Sequence, residues 1–249
     1  MISVCMATYN GEKYIREQID SILAQIGDND ELIISDDGSS DNTIAIIESY
    51  KDDRIKVLYN FGKHGFIGNF ENALKHATGD YIFLSDQDDV WFENKVIILE
   101  KLLEKYDLIN HDLTIVNEQL DIIAPSLFSK QGCRTKILSN IINSSFYGSC
   151  MAFRRSLLDI ALPLCNYKDI GHDQWIGFVA LLTGRVLFLD KQLIKYRRSN
   201  STVTQLGNFW TRSKRPLYRK IYSRIIIIIE IFRFWISYRI LRNRNNINI

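Results

Sequence analysis

Along the N-terminal part of the chain, short apolar runs alternate with stretches whose apolar residues recur at helical spacing. Residues 2–7 predict a buried strand, and the turn Thr8-Tyr9-Asn10-Gly11 follows, with Asn10 placed to cap a helix. In that helix Ile15, Ile19, Ile22, Leu23 and Ile26 share one face, while Glu12, Lys13, Arg16 and Asp20 take the other. Gly27-Asp28-Asn29-Asp30 ends it. Residues 32–35 predict a second strand, which runs into Asp36-Asp37-Gly38-Ser39-Ser40-Asp41 and then a helix through Ile44, Ile47 and Tyr50. A third strand at 55–59 is followed by a loop punctuated by Gly62, Gly65 and Gly68. A helix turning Phe70, Ala73, Leu74 and Ala77 inward then delivers a fourth strand at Tyr81. Strands and helices alternating at this spacing imply right-handed crossovers: an α/β, Rossmann-like fold with a mainly parallel central sheet flanked by helices.

Ligands of such sheets bind at the carboxyl ends of the strands. The unusual polar clusters all fall there, with Thr8-Tyr9-Asn10 after the first strand, Asp36-Asp37 after the second and residues 86–89 after the fourth. In the last, Tyr81-Ile82-Phe83-Leu84-Ser85 runs straight into Asp86, Asp88 and Asp89. Carboxylates this close repel one another unless something positive sits between them, and a hard divalent cation carrying phosphate oxygens is the usual solution. A solvated acidic turn capping the next helix is the alternative. A solvated face has no reason to be distributed over three strand ends, which favours the cation.

The second half is less regular. Residues 93–106 form an amphipathic pattern with Val96, Leu99, Leu102, Leu103 and Tyr106 as its apolar stripe. Residues 107–145 are poorly patterned, with a short strand near 114–116 and a helix near 135–142. Residues 146–153 alternate like a strand, in which Gly148 permits a close backbone approach to a ligand or a bulge. Gly171-His172-Asp173-Gln174-Trp175 opens another helix, and strands are expected at 186–189 and 193–196.

A chain of 249 residues with 46% hydrophobic content can bury a sizeable core. Its net charge of +2 hides an asymmetry: residues 207–249 hold ten Lys/Arg against Glu230 alone and carry +9, leaving −7 on residues 1–206. Two domains are therefore expected, 1–206 and a basic tail at 207–249 that meets a different partner. Cys5, Cys133, Cys150 and Cys165 have no C-x-x-C spacing and read as reduced cytosolic thiols. No basic region precedes an apolar run at the N-terminus, so no secretion signal is expected, and Glu230 interrupts Ile225 to Ile229 far short of the roughly 20 residues a membrane span needs.

Five segments then stand in order: V-C-M-A-T-Y-N-G, I-I-S-D-D-G-S-S-D-N-T, N-F-E-N-A-L-K-H-A-T-G-D-Y-I-F-L-S-D-Q-D-D-V-W, G-S-C-M-A-F-R-R and H-D-Q-W. Together, over residues 2–200, they resemble a family 2 glycosyltransferase with the GT-A fold, in particular its bacterial rhamnosyltransferase-like branch. The resemblance implies transfer of a sugar from a nucleotide-diphosphate donor with inversion at the anomeric carbon. Thr8, Tyr9 and Asp36 match positions around the nucleotide base, with Asp37 adjacent, and Gly148 falls on the donor side. Asp88 matches the position that contacts Mg²⁺ or Mn²⁺, Asp86 that for ribose or metal, and Asp89 is expected to cap the next helix. Asp173 matches the catalytic base, which takes the proton of the acceptor hydroxyl as that oxygen attacks. Lys63 and His64 either supply positive charge to the phosphates or belong to a solvated loop. His172 either orients the acceptor or packs; Trp175 offers a flat face to a sugar or to the core. Relatives often carry a metal-binding His after a Tyr-Arg pair, whereas Tyr196-Arg197 is followed here by Arg198, Ser199 and Asn200. Arg197 or Arg198 would then be the cationic partner of the diphosphate.

In the tail, Phe209, Trp210, Arg212, Lys214, Arg215, Arg219, Lys220 and Arg224 lead into Ile225, Ile229, Phe232, Ile236 and Ile240 at helical spacing. Such a basic amphipathic helix is expected to lie on an anionic membrane surface; the alternative is packing against the catalytic domain or a second subunit, as in a homodimer. No nucleic-acid-binding motif accompanies the charge. The resulting expectation is an inverting, metal-assisted enzyme, peripheral on the cytoplasmic face of the membrane. It would use dTDP-rhamnose or a UDP-hexose to extend a saccharide acceptor, polyprenyl-linked, in surface polysaccharide synthesis. The alternatives are a catalytically silent sugar-nucleotide-binding subunit and a sugar-nucleotide nucleotidyltransferase, although this chain has no basic glycine-rich triphosphate loop after its first strand.

Overall fold

Every residue of the second apolar run is buried, because its strand lies inside a sheet covered on both faces. The structure, a computed structural model, describes residues 1–167, 169–198 and 216–246. The expected alternation is realised as β1 (Ile2–Thr8), α1 (Ile15–Leu23), β2 (Glu31–Asp36), α2 (Thr43–Glu48), β3 (Ile55–Tyr59), α3 (Phe66–His76) and β4 (Tyr81–Ser85). Then follow β5 (Val90–Trp91), α4 (Lys95–Leu103), β6 (Leu108–Val116), β7 (Ile122–Ala124), α5 (Leu127–Gln131) and α6 (Ile137–Ile142). A 3-10 turn (Gly148–Cys150) precedes β8 (Met151–Arg154), α7 (Arg155–Ala161), α8 (His172–Thr183), β9 (Val186–Arg197) and α9 (Leu217–Asn246).

The described strands form one sheet in the order β3-β2-β1-β4-β8-β6-β9-β5, with β7 beside β6. Strands β1 to β4 are mutually parallel where they pair, and β8 turns the sheet antiparallel on both its sides. Alternation along β4 sends Ile82 and Leu84 into one layer, with Phe70, Phe153 and Trp175, and Phe83 into the other, with Ile15, Trp91 and Leu99. Full burial of a side chain such as Phe83 is worth about 1.5–3 kcal/mol.

Several expectations are corrected. Asn10 caps no helix: it takes a left-handed conformation (φ 48°) and its Oδ1 accepts from Ser40 N at 2.9 Å, tying the β1 loop to the β2 loop. The expected strands at 186–189 and 193–196 are one strand, β9, with a register shift between them. Residues 108–116 are a single buried strand, and its Asn110 and Asp112 side chains find partners inside the protein. The Asp112 carboxylate there accepts from Leu127 N, Phe128 N and Gln192 Nε2 at 3.0, 2.9 and 2.6 Å, so its polarity disguised a core strand.

The 206/207 boundary, and with it Ser199, Asn200, Phe209, Trp210, Arg212, Lys214 and Arg215, lies outside the described residues. Helix α9 packs one face on the domain: Ile227 is buried, and Ile226, Ile231 and Phe234 join the same cluster. No described helix is long and apolar enough to cross a membrane.

Candidate functional site

Strand register brings the polar clusters together. Thr8 pairs with Asp36 across β1 and β2, and Met6 with Ser85 across β1 and β4, so three loops open at one sheet edge. Within the β2 loop the Asp36 carboxylate, 1% exposed, is spent on the loop itself. Its Oδ1 accepts from Thr8 Oγ1 (3.1 Å) and Ser39 Oγ (2.5 Å), and its Oδ2 from the N–H groups of Gly38 (3.0 Å) and Ser39 (2.8 Å). Asp36 thus shapes the loop that borders the expected base position. Asp37 accepts from Asn60 Nδ2 and Gly65 N, both at 2.7 Å, and faces His64 Nδ1 at 2.9 Å, so it fastens the glycine loop. Lys63 is exposed and donates to Asn166 Oδ1 at 2.7 Å. Tyr9 projects with 56% exposure, and its backbone is clamped by Gln87, whose Oε1 accepts from Tyr9 N (2.9 Å) and whose Nε2 donates to Tyr9 O (3.0 Å). Gln87 was not anticipated: it sits between the acids and couples their loop to the first strand.

The acids divide by burial. Asp86 and Asp88 are half-buried; Asp89 is buried. Burial, then the charges of Asp88 and Asp173, push the Asp86 carboxyl up toward neutrality; burial raises Asp88, and burial with the other two acids raises Asp89. Asp89 does not cap a helix. It accepts from Arg197 N at 3.1 Å, joining the acidic loop to β9, while α4 begins later, after Asn94. Beneath the cluster lies Lys95, fully buried, its Nζ donating to Ser149 O at 2.9 Å and lying 4.1 Å over the Trp91 ring. Burial lowers its pKa to about 7, against the pull of Cys150, Asp89 and Asp86. A lysine in the first turn of an amphipathic helix reads as solvated, so only the tertiary structure reveals this internal counter-charge.

Arg197 is likewise reassigned. It is 2% exposed; its Nε donates to Asp88 O (2.9 Å), Nη1 donates to Glu118 O (2.5 Å), Nη2 pairs with Glu17, and the guanidinium lies 4.4 Å over the Tyr14 ring. It fixes the backbone of the acidic loop, with three of its five N–H donors taken by protein acceptors. Arg198 leaves β9 with its N–H on Val116 O at 2.9 Å. Arg197→Met strands two carbonyls and should cost about 3 kcal/mol of stability, read from urea unfolding. An unchanged midpoint would contradict the scaffold role.

Opposite the acids, the 3-10 turn meets the start of α8. A Cβ on Gly148 would lie 2.7 Å from His172 Nε2 and 3.8 Å from Asp173 Cβ, so the close approach at Gly148 is to this helix. Asp173, half-buried in the first turn, accepts from Gln174 N at 2.8 Å; burial raises its carboxyl to about 6, offset in part by the N–H groups of Gln174 and Gly148. His172 stacks on Phe70 at 3.9 Å, neither ring nitrogen has a partner, and burial holds its pKa down at about 3, so the ring is neutral. Trp175 is core: it is buried, its Nε1 donates to Ala161 O at 2.9 Å, and its ring meets Phe234 of α9 edge-on at 5.6 Å. It offers no face to a sugar.

Among the described residues no group of three or more His, Cys, Asp or Glu side chains converges on a cation position. Two half-buried carboxylates, both raised by burial and Asp86 further by the charge of Asp88, suit a hard cation that takes its other ligands from water and phosphate, as Mg²⁺ does.

A parallel sheet with an antiparallel insertion and acids at its carboxyl edge is the architecture of the GT-A class. A solved structure of the TarS 1-349 fragment from S. aureus in complex with UDP superposes with TM-score 0.64 at 25% identity, covering 80% of this chain and 60% of that one. Residues 3–160 match the profile of glycosyl transferase family 2, and the chain belongs to that family. It is 32% identical over 163 residues to the Escherichia coli UDP-Glc:alpha-D-GlcNAc-diphosphoundecaprenol beta-1,3-glucosyltransferase WfgD, covering 59% of this chain and 63% of that protein. It is 42% identical over 98 residues to the Shigella flexneri dTDP-rhamnosyl transferase RfbG, covering 36% and 34%. The chain thus spans about three fifths of the glucosyltransferase and a third of the rhamnosyl transferase. The rhamnosyl branch is not singled out by these matches.

Proposed function

We propose that this chain is an inverting glycosyltransferase that moves a sugar from a nucleotide-diphosphate donor to a saccharide acceptor. The observation that carries the reading is the placement of two kinds of carboxylate on either side of the Gly148 turn: Asp86 and Asp88 at the end of β4, and Asp173 at the start of α8. The donor lies along the sheet edge, with Tyr9 and Thr8 toward the nucleotide and Gly148 beside the sugar. Asp88 and Asp86 would hold Mg²⁺ or Mn²⁺ against the diphosphate, which when bound neutralises charge on the leaving group. Asp173, ionised above about pH 6, takes the proton of the acceptor hydroxyl. The acceptor oxygen bonds to the anomeric carbon as that carbon's bond to the diphosphate breaks, and the sugar is inverted. His172 stays neutral and stacked on Phe70 beside Asp173.

The glucosyltransferase and rhamnosyl transferase relatives support UDP-hexose and dTDP-rhamnose as donors, and the diphosphoundecaprenol named for the first supports a polyprenyl-linked acceptor in bacterial surface polysaccharide synthesis. An acceptor of that kind, together with the basic α9, supports a peripheral place on the cytoplasmic face of the cell membrane. A calorimetric screen of dTDP-, UDP- and GDP-sugars with Mg²⁺ or Mn²⁺, followed by nucleotide release in the presence of acceptor, tests the proposal. Binding of a UDP- or dTDP-sugar with cation-dependent turnover is expected; no binding and no turnover across the panel would remove the reading.

A further inference from the structure

Helix α9 has two apolar faces rather than one. Ile227, with Ile226, Ile231 and Phe234, enters the core beside α8. On the outward side Ile221, Ile225, Ile228, Phe232, Ile236 and Ile240 repeat at helical intervals and remain between 39 and 58% exposed. That stripe runs about 28 Å along the helix, and an exposed apolar surface of this length marks a contact with lipid or protein. Charge decides between them. Residues 217–246 contain seven Lys/Arg and one acidic residue, Glu230, so stripe-to-stripe docking of a second copy would oppose two cationic sets. An anionic lipid surface is complementary to the same charges.

Beside the far end of the stripe, Leu182 of α8 and Trp235, Tyr238, Arg239, Arg242 and Asn243 of α9 line an open cavity of about 380 Å³. The Arg239 guanidinium lies 4.4 Å over the Trp235 ring, and that ring stacks on Phe232 of the stripe at 6.2 Å. Two guanidinium groups, an amide and a phenol therefore stand at the polar end of an apolar track, with an indole at the junction. Guanidinium forks suit phosphate oxygens, and aromatic rings of this kind sit at headgroup depth.

We propose that this cavity binds the phosphate of an anionic phospholipid whose acyl chains lie along the outward stripe, so that α9 rests in the plane of the membrane surface. The proposal rests on the reading of the chain as an enzyme at the membrane face and deepens it by naming the helix face and the headgroup chemistry. Because Phe234 of α9 meets Trp175 of α8, lipid docking also orients the Asp173 turn relative to the bilayer.

The full chain is tested by co-sedimentation with phosphatidylcholine vesicles, with and without an equal share of phosphatidylglycerol. Binding is expected only with the anionic lipid, and brominated acyl chains should quench a fluorescence component that Trp235→Phe removes. Two double variants of equal charge change are compared, Arg239→Gln/Arg242→Gln at the cavity and Arg219→Gln/Arg233→Gln on the same helix. General attraction predicts an equal loss of about 30-fold for both pairs; a phosphate site predicts about a tenfold larger loss for the cavity pair. Equal losses, absence of vesicle binding, or a dimer whose assembly is broken by Phe232→Ser would each overturn the proposal. So would a saturable rise in Tm with inorganic phosphate alongside vesicle binding indifferent to phosphatidylglycerol. Calorimetry of the nucleotide sugar on the same variants separates the two readings: a chain that binds such vesicles but no donor sinks the enzymatic reading and leaves the lipid site standing.

Discussion

Asp173→Asn lowers the rate of sugar transfer by about 10²- to 10⁴-fold, the usual worth of a positioned base, while donor affinity changes little. The substitution keeps shape and keeps an oxygen for the N–H of Gln174, so the first turn of α8 is preserved. What it removes is the proton acceptor. Burial raises the wild-type carboxyl to about 6, which sets the sign of the pH dependence. Below that value Asp173 is protonated and transfer falls tenfold per pH unit; above it the rate is level. The variant loses this limb along with its activity. Stopped assays of nucleotide release from pH 5 to 8, paired with donor calorimetry, are the check. A variant that keeps more than about a tenth of the wild-type rate would move the base to another residue.

Asp88→Asn should have the second largest effect, and of two opposite kinds. Cation-dependent donor binding is expected to disappear, because one carboxylate cannot hold a hard cation that has only one other protein ligand in reach. Without cation or donor, the same variant should be more stable than the wild type at pH 8. The carboxyls of Asp86 and Asp88 are raised in the fold above their unfolded value. Folding therefore favours their protonated forms, and stability is lost as pH rises from the ordinary carboxylate range through their raised values near neutrality. Removing one charge relieves that loss, by about 2–4 °C in Tm for each kcal/mol recovered. For the wild type, Mn²⁺ should raise Tm more at pH 8 than at pH 5. A Tm at pH 8 lower in the variant than in the cation-free wild type would show that Asp88 is held by contacts other than repulsion. The site would then be trading no stability for function.

Lys95 and Arg197 show why half of the site's support was illegible. Each is a cation in a local pattern that places it at the surface, and each is fully enclosed because a distant segment supplies its partners. Ser149 lies 54 residues from Lys95, and Asp88 lies 109 residues from Arg197. Nothing in a short window can report such pairs. Trp175 and Asp36 likewise take partners that local spacing does not report. The Trp175 indole, for which a sugar face and the core were both expected, is taken by Ala161 O and Phe234, and the Asp36 carboxylate accepts from three donors of its own loop and from Thr8 Oγ1 of β1. The buried polar run at Asn110-His111-Asp112 hid a nine-residue core strand for the same reason: its acceptors were filled from outside the window.

By itself the sequence determined the period of each N-terminal element, the parallel order that follows from alternation, and the collection of acids at one sheet edge, since all three depend on residues close in the chain. Tertiary structure alone decided which acids remain available and which are spent, that Lys95 and Arg197 brace the acidic loop from below, and that Gly148 faces His172 and Asp173. It also decided that α9 turns one apolar face to α8 and the other outward. Those outcomes depend on burial and on partners brought together from far along the chain, and desolvation has no signature in local spacing.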